Sequence, residues 1–122
     1  MILAIALGGA IGSVGRYLIS GWITVWLGRG FPWGTLFVNV VGSFLMGALF
    51  QVFSERIPTQ TLWRTALLVG LLGGFTTFSS FSLESLQLIQ NGELRLFLIN
   101  VGLSVLLCLI CVWAGLSLAR TV

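Results

Sequence analysis

The sequence predicts an all-α integral membrane protein with four transmembrane helices. Three observations predict it. The 122 residues are 57% hydrophobic and only 7% charged, and the mean hydropathy is +1.09. A soluble domain of this size carries about 25% charged residues over a largely exposed surface. Nine charged side chains cannot solvate such a surface. The apolar residues also gather in four stretches, each long enough to cross the roughly 30 Å of a bilayer's hydrocarbon as a helix. Helix is the required element, because four strands cannot close a barrel in lipid.

The stretches run over about residues 2–27, 31–53, 62–90 and 94–119. The punctuation between them is short and polar: Gly28-Arg29-Gly30, Ser54-Glu55-Arg56-Ile57-Pro58-Thr59-Gln60, and Asn91-Gly92-Glu93. The first stretch lacks a basic leader and is too long for a signal peptide. The expected organisation is a single four-helix transmembrane domain over residues 1–122.

The net charge is +3, but Arg16, Arg29, Arg56, Arg64, Arg95 and Arg120 lie singly along the chain. No basic patch forms, so nucleic acid is not an expected partner. With four spans, Arg56, Arg64 and Arg120 fall on one side of the membrane and Arg29 and Arg95 on the other. That balance gives a poor positive-inside bias and leaves insertion in both orientations open. Four helices are few to enclose a permeation path. Two oppositely inserted copies would pair about a two-fold axis in the membrane plane.

In the first span, Gly8 and Gly12 form a GxxxG pattern suited to close helix packing. Arg16 lies within the same span with no acid beside it. It reads either as an anion-attracting vestibule or as a side chain snorkelling to an interface. In the second span Thr35, Asn39 and Ser43 fall at i, i+4 and i+8 on one helix face. Asn39 offers two donors and an acceptor, suited to coordinating an anion or to bridging two helices.

The third span carries Gly73-Gly74-Phe75-Thr76-Thr77-Phe78-Ser79-Ser80-Phe81-Ser82 at its centre. Glycine weakens helix, and Ser and Thr compete for backbone hydrogen bonds. A break here would free carbonyls to hold a hard monovalent cation, a use that unwound backbone serves at membrane depth. The other reading is a small-residue packing seam. Phe78 and Phe81, at i and i+3, share a face. Aromatic rings carry an electropositive edge that can meet an anion without a trapping charge. Glu84 follows three residues later, at a pathway's mouth or paired with an arginine. The fourth span adds Asn100 and Ser104. Its Cys108 and Cys111 read as small buried apolar residues. With no His and no Asp in the chain, no nucleophile–base pair, phosphate loop or metal cluster appears, and no enzyme chemistry is expected.

The runs Gly8-Gly9-Ala10-Ile11-Gly12-Ser13-Val14-Gly15-Arg16-Tyr17, Gly34-Thr35-Leu36-Phe37-Val38-Asn39-Val40-Val41-Gly42-Ser43-Phe44 and Gly73 to Ser82 resemble the Fluc (CrcB) fluoride channels. The likeness covers all four spans in length and order, and the third-span run is the most specific part. The resemblance implies an antiparallel, dual-topology homodimer in a bacterial-type inner membrane, with two pores that export fluoride passively and exclude chloride. It implies a broken third helix whose Gly73 and Thr76 carbonyls hold a structural sodium ion at the two-fold axis. It assigns Phe78, Phe81 and Asn39 to the fluoride pore, and Thr35, Ser79, Ser80 and Ser82 to a hydroxyl track. It places Arg16 near a vestibule and Glu84 near the pathway. Ser80 stands where family members often have Thr, which keeps the hydroxyl. The rival from another class is a small multidrug-type proton-coupled exporter, also of four spans. That chemistry needs a glutamate in the first span, where this chain has Arg16.

Overall fold

The computed structural model describes residues 1–57 and 61–121. The chain runs through α1 (Ile2–Leu27) and α2 (Trp33–Arg56), then a short α3 (Leu62–Arg64) continuing into a π-helical segment (Thr65–Leu72) and the single turn α4 (Gly73–Phe75). After Thr76 and Thr77 it resumes in α5 (Phe78–Gln90) and ends with α6 (Leu94–Thr121). Four stretches are long and apolar enough to cross a membrane: Ile2–Leu27, Trp33–Arg56, Leu62–Gln90 and Leu94–Thr121.

The helix ends have local causes. Gly28 leaves α1 with φ at 91°, a conformation glycine reaches without strain. Pro32 directly precedes α2 and fixes its start two residues after the position expected from hydropathy. At its other end α2 runs on through Ser54, Glu55 and Arg56, which the sequence reading placed in a polar connection. Gln51 donates to Glu55 one turn later and closes this extra turn. The expected connection at Pro58, Thr59 and Gln60 lies outside the described residues. Gly92, with φ at 78°, reverses the chain after α5. The Glu93 amide donates to the Leu88 carbonyl at 2.8 Å and makes α5 and α6 antiparallel neighbours.

Packing rests on small residues, as expected where lipid supplies no hydrophobic drive between helices. A Cβ on Gly12 would overlap the Leu71 carbonyl oxygen, so α1 lies directly against the π-helical segment. Gly47 and Gly115 do the same for α2 and α6: added Cβ atoms would strike the Val112 and Phe44 carbonyl oxygens. Between the helices Val38, Leu72 and Asn100 are the most deeply buried large side chains. The outward faces of α1 and α6 carry exposed Leu7, Ile11, Trp22, Leu98, Leu106 and Trp113, a surface suited to lipid.

Candidate functional site

Thr76 and Thr77 organise the centre of the molecule. Both are extended, with ψ at 158° for Thr76 and φ at −154° for Thr77. Their side chains explain the interruption. The Thr76 hydroxyl donates to the Leu72 carbonyl at 2.9 Å, a carbonyl that the Thr76 amide also reaches. This is the local competition by which threonine disturbs a helix. The Thr77 hydroxyl accepts from the Ser80 amide at 3.1 Å and N-caps α5.

Two amides are thereby diverted. In a continuous helix the Thr77 amide would bond the Gly73 carbonyl and the Ser80 amide the Thr76 carbonyl. The Thr77 amide donates instead to Asn39 Oδ1 at 2.7 Å. Asn39 returns a bond from Nδ2 to the Thr77 carbonyl at 2.9 Å. Asn39 thus holds both backbone groups of one residue and ties α2 to the bend. The Thr76 carbonyl accepts from Arg16 Nη1 at 3.4 Å. The arginine within α1 therefore reaches the bend.

A cavity of about 380 Å³ opens beside this corner. Asn39, Ser43, Phe78, Phe81, Ser104 and Cys108 are among its lining residues, and none of the lining residues carries a charge. The Phe78 and Phe81 rings stand 5.4 Å apart between centroids, tilted 45°. Phe78 is 79% exposed although it lines the cavity, so one wall is open.

The predicted hydroxyls divide. Ser80 and Ser79 pack their hydroxyls against that of Thr77, each at 3.2 Å. Ser82 donates back to the Phe78 carbonyl at 2.9 Å on an exposed face. Thr35 donates to Glu84 Oε1 at 2.8 Å, while Glu84 Oε2 is buried and meets no partner among the described residues. Ser43, Thr76 and Ser104 are the hydroxyl residues among the cavity lining. Ser43 was visible in the i, i+4, i+8 stripe. Ser104 donates to Asn100 at 3.4 Å, and Asn100, 1% exposed, donates to Ser85 at 3.0 Å. That chain joins α5 to α6. Cys108 and Cys111 are half-buried, and Cys108 lines the cavity, where the sequence suggested ordinary apolar burial.

A second, polar cavity of about 220 Å³ lies beyond Glu84 towards the ends of α1 and α5. Arg29, Gln87 and Asn91 line it together with Glu84. Thr35 on α2 bonds Glu84, which lines this smaller cavity, and one turn further on Asn39 bonds Thr77 and lines the larger one.

A family model described as "CrcB-like protein, Camphor Resistance (CrcB)" matches residues 3–116. The chain is 52% identical over 118 residues to a protein of Magnetococcus marinus named "Fluoride-specific ion channel FluC", covering 97% of this chain and 96% of that one. It is 50% identical over 121 residues to a protein of the same name from Geobacter metallireducens, covering 98% and 96%. A third, from Methylococcus capsulatus, is 53% identical over 119 residues. There the match covers 98% of this chain but spans only 52% of the relative's length.

Proposed function

The chain belongs to the CrcB-like family, and we propose that it is a fluoride-selective channel of the bacterial inner membrane. It lets cytoplasmic fluoride leave passively, excludes chloride and protects the cell from fluoride toxicity. The names of its relatives favour fluoride. The observation that carries the mechanism is the uncharged cavity lined by Asn39, Ser43, Ser104 and the two phenylalanines.

Fluoride is small and strongly hydrated. A path for it must replace water with close donors, yet hold the ion weakly enough to release it. The Asn39 amide spends one N–H on the Thr77 carbonyl and has a second for the cavity it lines. The hydroxyl of Ser43 adds a neutral donor, while that of Ser104 is spent on Asn100 Oδ1. The edges of Phe78 and Phe81 add partial positive charge. Thr35, Ser79, Ser80 and Ser82 extend or support this track: Thr35 orients Glu84, Ser79 and Ser80 brace the cap of α5, and Ser82 bonds back to the Phe78 carbonyl. Larger, more weakly hydrated chloride gains less from such short contacts.

The functional unit in this reading is an antiparallel, dual-topology homodimer with two pores. The open wall beside Phe78 supports it, because a second copy would close a path that one subunit leaves exposed. The third helix is then broken at the membrane midplane, at Thr76 and Thr77. The Gly73 and Thr76 carbonyls, whose helical amide partners are diverted, suit a sodium ion shared between subunits. Two neutral oxygens per chain fit a hard monovalent cation better than a divalent one, and the ion would offset carbonyl dipoles crowded at the axis. The contact from Arg16 to the Thr76 carbonyl helps set the direction in which that oxygen faces. A proton-coupled exporter fits less well, because α1 carries Arg16 and no carboxylate.

The test is anion efflux from liposomes holding purified protein, with fluoride and chloride electrodes read together. Rapid fluoride loss without chloride loss is expected. Absent fluoride loss from folded, dimeric protein would refute the reading.

A further inference from the structure

The larger cavity accounts for selectivity but not for how a dilute anion finds it. The second cavity, whose Glu84 accepts from Thr35, has a lining of a different kind. Arg29, Gln87, Asn91 and Thr24 line it together with Glu84. Arg29 is the one basic residue among its lining residues. The Gly28-Arg29-Gly30 corner places it there. Gly28, at positive φ, turns the chain out of α1 so that Arg29 sits over the ends of both α1 and α5. Glu84 Oε1 is engaged by Thr35 at 2.8 Å, and its Oε2 is buried without a partner among the described residues. The Arg29 guanidinium gives this lining its one positive charge, against the single carboxyl group of Glu84.

From this we infer that the Arg29 cavity is the anion-gathering mouth of the pathway, and that Arg29 is a positioning residue for entry. The inference rests on the proposed channel function. The ligand is a small monovalent anion held loosely in water, with Arg29 as a fixed charge and the Gln87 and Asn91 amides as neutral donors. The mouth concentrates the anion and does not discriminate, because selectivity is exercised further in. Arg16, which the sequence offered as the vestibule cation, is occupied with the Thr76 carbonyl.

A unit charge about 7 Å from an anion in water raises its local concentration about threefold. The gain is screened when the Debye length drops from about 30 Å at ~0.01 M salt to about 3 Å at ~1 M. The experiment measures fluoride current in planar bilayers at a fixed low fluoride concentration. It compares the wild type, R29Q and R29K at both ionic strengths, set with an impermeant salt such as sodium isethionate. At low salt R29Q is expected to carry about a third of the wild-type current, R29K close to all of it. At high salt the three should converge, with fluoride-over-chloride selectivity unchanged throughout. Equal R29Q and wild-type currents at low salt overturn the inference, as does a deficit that persists at high salt, which marks a structural role. If R29Q yields no dimer, the wild type alone decides. A salt-independent wild-type current overturns the mouth, whereas no wild-type fluoride current at either salt overturns the channel reading beneath it.

Discussion

Replacing Asn39 separates two jobs that one side chain performs. Its amide bonds both backbone groups of Thr77, at 2.7 and 2.9 Å, and Thr77 is only 7% exposed. Asn39→Ala removes both bonds and leaves a buried N–H and C=O without partners. Leaving a buried group without its partner costs about 1–3 kcal/mol, the lost bond included, so two orphaned groups at about 1.5 kcal/mol each should loosen the corner by about 3 kcal/mol. That is about a hundredfold faster local opening, read as loss of hydrogen-exchange protection at the Thr77 amide. Asn39→Asp keeps the acceptor for that amide and places a negative charge on the cavity wall. At about 5 Å and an effective dielectric of about 20, repulsion of a monovalent anion is about 3 kcal/mol. Fluoride flux should then fall more than a hundredfold while Thr77 protection falls less than in Asn39→Ala. Unchanged Thr77 exchange in Asn39→Ala would refute the bracing role. Wild-type flux in Asn39→Asp would place Asn39 outside the path.

Phe78→Ile and Phe81→Ile should each reduce fluoride efflux from liposomes while the dimer still forms on size exclusion in mild detergent; undiminished flux in both would remove the rings from the path. Exhaustive exchange of sodium for N-methylglucamine should weaken the dimer, measured as subunit dissociation on dilution, and a dimer indifferent to sodium would remove the Gly73 and Thr76 carbonyls as a cation site. Asn100→Ala strips the partner from Ser85 inside the α5–α6 contact and should lower stability by about 1–3 kcal/mol in a detergent-denaturation titration. Stability equal to the wild type would show that this network contributes nothing to holding α6.

The four spans were legible because hydropathy alone decides what crosses a bilayer. Their ends were less so. The extra turn of α2 depends on a Gln51–Glu55 contact that composition does not reveal. The Gly-Ser-Thr run marked the centre of the third span, yet the two extended residues are threonines, not the adjacent glycines. Gly73 and Gly74 stay helical because α1 packs closely there: a Cβ on Gly74 would press on the Gly9 carbonyl oxygen. Asn39 was visible as an intramembrane amide. Its partner was not, because the bond spans 38 residues of sequence. The Arg29 cavity escaped sequence reading for the same reason: it forms from α1, the turn after it and α5 together.

Selective passage of fluoride is best measured as parallel fluoride and chloride efflux from liposomes. Wild-type protein shown to be folded and dimeric should release fluoride rapidly and retain chloride. Retention of fluoride, or release of both anions together, would contradict it.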